Sequence, residues 1–79
     1  MNLDGIFDPV KAKQIRIDLR INRRKLAREL GATGVKVYSF DTSIYEYETG
    51  RRVPKPNSTE LQALYLLWLK EQSYDPYGI

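Results

Sequence analysis

Residues 35–54 read VKVYSFDTSIYEYETGRRVP, and the local structure of this run decides the fold. Its second half, Ile44 to Pro54, has the marks of a helix C-terminus. Ile44, Tyr47 and Glu48 stand at i, i+3 and i+4, on one helical face. Gly50 sits where a helix ending favours a residue at positive φ, and Pro54 bars the helix from resuming. Arg51 and Arg52 fall just past that end, near the negative pole of the helix dipole. The first half is different. Val35, Val37 and Phe40 favour extended structure, so VKVYSF reads as a loop with a short extended piece. Two architectures compete. In one, a long loop leads to a helix over 41–49, with Asp41 or Thr42 as N-cap. In the other, VKVYSF and IYEYE pair as a hairpin around Asp41-Thr42-Ser43. The hairpin lacks the Gly or Asn of a tight connection, and the helix is the reading adopted.

Working outward, the flanks are helical. Asp8-Pro9 joins an N-cap to a proline at the first helical position. From Pro9 to about Arg20, Val10, Ala12, Ile15, Ile17 and Leu19 are apolar, followed by Ile21. The run IRIDLRI would also suit a strand; the Asp-Pro start decides for helix. Asn22 caps a second helix, Arg23 to Leu30, with Leu26, Ala27 and Leu30 inward and Gly31 at its end. After the loop VPKPNS, Asn57 and Glu60 form a capping box for a last helix, about Ser58 to Gln72. Leu61, Leu64, Tyr65 and Trp68 make one stripe of it, and Leu66, Leu67 and Leu69 spread the apolar surface round the cylinder. Such a helix wants burial on two sides. The second side is either another copy of the chain, or Trp68 and Leu61 fill the core while the loop over 31–41 covers the rest. The ordered core is expected to span about 8–72, with a loose lead-in (Met1 to Phe7) and a mobile tail.

The chain has 79 residues, no cysteine and no histidine. One small domain of this size buries only about 60% of the surface of its unfolded chain, so its stability should be marginal. The commonest general base and the commonest metal ligands are absent, which weighs against an enzyme; no catalytic residue, metal or cofactor is expected. No membrane span or signal peptide is apparent, and a cytoplasmic, nucleoid-associated location is expected. The net charge is only +3, yet eight basic residues lie between Lys11 and Arg28 against a single acid, Asp18. A basic block of that kind is an electrostatic footprint for phosphate.

The segments NRRKLARELG and IYEYETGRRVP together resemble the Cro and phage-repressor (xenobiotic-response-element-like) family of helix-turn-helix DNA-binding proteins. Leu26-Ala27-Arg28-Glu29-Leu30-Gly31 matches the family's second helix, where a small residue lets two helices cross closely. Ile44, Tyr47, Glu48, Gly50, Arg51-Arg52 and Pro54 match its third. Between Gly31 and Ile44 the chain departs from the family by about seven extra residues, more than a regular turn of the motif holds. The resemblance implies an all-α domain of four to five helices, lambda-repressor-like, with that long loop between helices 2 and 3. It also implies a sequence-specific regulator of transcription, a repressor of phage, plasmid or mobile-element type, that binds double-stranded DNA as a homodimer through the C-terminal helix. With no sensor or proteolytic switch domain expected, it would be regulated by its own concentration, by a partner, or not at all.

Carried over by position, the resemblance places Thr42, Tyr45 and Glu46 against base edges, with Asp41 as a cap. Thr42 suits a base or a thymine methyl, and Glu46 suits cytosine N4. Arg23, Arg24, Arg51, Arg52 and Lys55 are assigned to phosphates, joined by Lys36 reaching from the loop. Phe40 and one of the valines are expected to be buried. Arg16 and Glu48 are expected to form an ion pair inside the domain, since the family pairs a basic residue of helix 1 with that glutamate. Two other functions stay open. An antitoxin would use its apolar last helix to cover a toxin, and a protein-interaction module would use the basic face for an acidic partner.

Overall fold

The computed structural model describes residues 7–55 and 60–72. They form an all-α domain of four helices: α1 (Pro9–Asp18), α2 (Arg23–Glu29), α3 (Val35–Glu48) and α4 (Glu60–Glu71). The expected capping box at Asn57 and the terminal segments 1–6 and 73–79 lie outside the described residues.

The N-termini of α1 and α2 form as their local sequences dictate. The Asp8 side chain accepts from the Lys11 N–H, with Pro9 in the first turn, and the Asn22 side chain accepts from the Lys25 N–H. Such caps contribute about 1 kcal/mol each. Three helices end alike. Beyond α1, α2 and α3, Arg20, Gly31 and Gly50 adopt positive φ. At each end two backbone N–H groups turn back to carbonyls of the last turn, as in Ile21 to Arg16, Ala32 to Ala27 and Arg51 to Glu46. This is the Schellman ending, which satisfies carbonyls a helix terminus leaves open. Arg20 takes the position that glycine usually fills. Its φ of 57° brings α1 to a close at Asp18, two residues short of the expected end.

The long loop between the second and third helices does not exist, and neither does the hairpin. Residues 35–40 are the first turns of α3, a helix of 14 residues that starts after Gly34 rather than at Asp41 or Thr42. Gly34 stands at the N-cap with φ 58°, and no side chain caps the helix. The β-favouring composition of VKVYSF is overridden by burial. Val37, Phe40, Ile44 and Tyr47 recur at steps of three and four residues, and all four are buried. Val35, the other valine, is exposed. Apolar burial of such side chains is worth about 1.5–3 kcal/mol each, more than the propensity differences that oppose the helix.

α3 packs chiefly on α2 and then on α1. Leu26 and Ala27 of α2 are fully buried, and Ala32 in the connecting turn joins them. α4 contributes Tyr65, Leu66 and Leu69 to the core, while Leu61 and Trp68 pack only partly against it. Four rings tie the halves together. Tyr47 of α3 stacks on Tyr65 at 5.3 Å, and Phe40 meets both rings edge-on. Phe7 lies 6.4 Å from the Tyr65 ring and is buried, so the expected lead-in contributes to the core at its last residue.

Beneath the end of α3, Arg16 and Glu48 are both buried and form a two-pronged pair, with N–O distances of 2.6 and 3.0 Å. Arg16 also donates to the Ile21 carbonyl at 2.9 Å. Removing one partner of a buried pair typically costs about 3–5 kcal/mol, because the other charge stays buried. Glu48→Ala should therefore lose about 3–5 kcal/mol in urea unfolding, and replacing both residues with apolar ones should lose much less. Arg20→Gly should act in the opposite direction. The left-handed conformation costs a side-chain-bearing residue about 1–2 kcal/mol, so the variant should unfold at higher urea with unchanged m-value.

Candidate functional site

Because α3 is long and its core face is continuous, its opposite face forms an exposed ridge about 20 Å in length. Val35, Tyr38, Ser39, Thr42 and Tyr45 line it, all exposed. The Thr42 hydroxyl donates to the Tyr38 carbonyl one turn back, and Ser43 does the same to Ser39. Their oxygens keep lone pairs free to accept. Of the residues expected at base edges, Thr42 stands in the middle of the ridge and Tyr45 near its C-terminal end. Glu46 lies on the flank, part-buried, and accepts from Arg52 Nη1 at 3.0 Å. Lys36 is exposed in the first turn of α3, not in a loop. Val35, Tyr38 and Ser39 are ridge residues that a loop over 35–40 does not place. The periodicity of Val37, Phe40, Ile44 and Tyr47 was the signal that would have exposed them.

Arginines border the ridge on two sides. From α2, Arg23 and Arg24 both grip Asp41, through Nε–Oδ distances of 2.8 and 3.2 Å. Asp41, expected as a cap, is instead a mid-helix carboxylate that joins α2 to α3. The same two guanidinium groups lie over ridge tyrosines, Arg24 at 4.8 Å from the Tyr38 ring centre and Arg23 at 5.3 Å from that of Tyr45. From beyond the end of α3, Arg51 approaches the Tyr45 ring at 6.0 Å and Arg52 the Tyr47 ring at 5.6 Å. Tyr45 thus meets two arginines, one from α2 and one from beyond the end of α3. Both bonds to Asp41 use the inner nitrogen, which leaves the outer N–H donors of Arg23 and Arg24 for a further acceptor. Arg51 has no carboxylate partner among the described residues. Lys55 is exposed, its backbone N–H held by Gln62.

A shallow groove of about 380 Å³ separates the flank of α3 from the start of α4. Phe40, Tyr47 and Leu61 form its apolar side, and Lys36, Ser43 and Arg52 bring polar groups to it. The described residues contain no cluster of acids able to hold a metal ion, and no helix among them is long and apolar enough to cross a membrane. The chemistry on offer is a ridge of hydroxyls and phenols with guanidinium groups along its borders, a surface suited to a polyanion with hydrogen-bonding edges.

No protein-family model, curated protein or solved structure matches the chain. The resemblance to the Cro and phage-repressor family therefore rests on the matched residues themselves.

Burial pushes the Tyr47 phenol above its ordinary value of 10.0; the nearby Arg52 opposes this and Glu46 adds to it. A folded-state pKa above the unfolded one means that the unfolded chain gives up the proton first. The neutral phenol's contribution is complete below pH 10 and is lost as pH rises from there towards the folded-state value. Stability measured by urea unfolding should fall above about pH 10, and more steeply in the wild type than in Tyr47→Phe.

Proposed function

We propose that this protein is a sequence-specific regulator that binds double-stranded DNA, with α2 and α3 acting as a helix-turn-helix and the ridge of α3 lying in the major groove. The observation that carries the reading is the exposed ridge with Arg23 and Arg24 on one side and Arg51 and Arg52 past its end. Such an arrangement puts cations where the phosphate backbones run on either side of a groove that holds a helix.

The spacing supports it further. With α3 starting at Val35, only residues 30–34 separate it from α2, which is near the turn length of the motif. The seven additional residues are absorbed as about two turns of helix. Two turns return the chain to nearly the same face, so Val37 lies above Ile44 and Phe40 above Tyr47 on the buried side. The residues matched to the family keep their orientation although the helix has grown.

On this reading Tyr38, Ser39, Thr42 and Tyr45 face base edges, and Lys36 stands at the leading turn. Arg23, Arg24, Arg51, Arg52 and Lys55 hold phosphates and give affinity without sequence choice. Glu46 accepts from a base only after releasing Arg52. The protein acts as a cytoplasmic homodimer through the outer side of α4, where Leu67 is half-exposed and Leu64 is only partly covered. A second copy there gives two ridges related by symmetry and hence a palindromic site.

Selection from random duplexes with the purified protein, combined with the mass of the complex, tests the whole reading. A palindromic consensus bound by two chains is the expected result; recovery of no sequence overturns it. Arg51→Ala should weaken binding to every duplex alike and flatten the plot of log affinity against log salt by roughly one unit. Thr42→Val should change the preferred sequence and leave that slope as it was.

A further inference from the structure

Two carboxylates occupy the border of the ridge, where a surface built only for phosphate would have none. Asp41 holds Arg23 and Arg24, and Glu46 holds Arg52. Three of the four arginines that flank α3 are thus already paired inside the protein. Stability does not explain these pairs. The arginines are between a third and more than half exposed and the carboxylates 19% and 30% exposed, and ion pairs open to solvent on one side in this way add little to folding, about 0–1 kcal/mol. The buried pair, Arg16 with Glu48, does the structural work at the other side of the same helix.

Their effect falls on binding. Each carboxylate partly neutralises the guanidinium it holds, even where outer N–H donors stay open, and so subtracts a charge from the face that phosphate would meet. Sequence-independent binding depends on how many phosphates are neutralised, so it suffers the full loss. A specific complex suffers less, because a carboxylate in the groove accepts from an exposed cytosine N4 where the sequence supplies one. Discrimination rises when the wrong partner is penalised more than the right one.

Resting on the DNA-binding reading, we propose that Asp41 and Glu46 are specificity-determining residues that act as internal competitors for phosphate. They restrain Arg23, Arg24 and Arg52 on non-cognate DNA and so lower sequence-independent binding.

The test measures Asp41→Asn and Glu46→Gln, beside the wild type, on the duplex recovered by selection and on a scrambled duplex of equal length, across a salt series. Each variant should bind the scrambled duplex roughly five- to tenfold more tightly near 0.1 M salt, with a slope steeper by up to about one unit. Its ratio of cognate to scrambled affinity should fall. Thermal melts close to that of wild type are expected for both. Asp41→Ala, which favours the helix, replaces Asp41→Asn in the series if the latter does not fold. A wild type that binds its selected duplex, together with variants whose scrambled-duplex affinity and slope match wild type, overturns the competitor role and leaves the DNA reading intact. Weaker binding of both duplexes by the variants also overturns it, since it shows that the carboxylates position the arginines for phosphate. If neither wild type nor variants bind any duplex at low salt, the DNA reading fails and this inference with it.

Discussion

The pairing of Arg16 with Glu48 is the constraint on which the remaining structure depends. Burying two charges is costly, and the cost is offset only when geometry is good and the remaining donors are satisfied. Here the guanidinium makes two bonds to the carboxylate and a third to the Ile21 carbonyl, at the turn between α1 and α2. One side chain thereby fixes the end of α1, the chain leading into α2 and the last turn of α3. Turning α3 about its axis would break both bonds to Glu48 and leave the Arg16 charge buried without its carboxylate. With Glu48 held inward, the positions on the far side of the helix have one place to go, and that place is the exposed ridge.

Length then gives α3 its second property. A loop would leave these side chains mobile, whereas Tyr38, Ser39 and Thr42 stand on a helix whose opposite face is buried along its whole course. Phe40 and Tyr47 extend that anchoring to Tyr65, so α4 supports the same helix from another direction. In a domain this small the core is shared by every element. Phe7, Leu26, Ile44 and Leu69 belong to one cluster.

Charge is divided by depth. The buried pair defines the fold and is hidden from any partner. The outer pairs at Asp41 and Glu46 are part-buried at the carboxylate and open to water and salt at the arginine, so they contribute less to folding and set the charge of the exposed face. Stacking of Arg23 and Arg24 over tyrosine rings keeps those long side chains along the ridge, where an isolated surface arginine would sample many rotamers.

The sequence by itself determined the features governed by neighbours a few residues apart. Asp8 and Asn22 open helices because a short polar side chain reaches the first free N–H groups, and Gly31 and Gly50 close them because glycine enters positive φ at low cost. The resemblance supplied the partners Arg16 and Glu48, and the apolar content of 35–40 was enough to expect Phe40 and a valine in the core. Tertiary structure alone decided what 35–40 would be. Valine and aromatic residues favour strands locally, and only a surface presented by α1, α2 and α4 makes it worth winding them into a helix. The same holds for Asp41 and Phe7. A carboxylate before a presumed helix reads as a cap, and a phenylalanine near the chain start reads as a loose end. Their partners, Arg23 and Arg24 for one and Tyr65 for the other, are distant in sequence, and only packing brings them within reach.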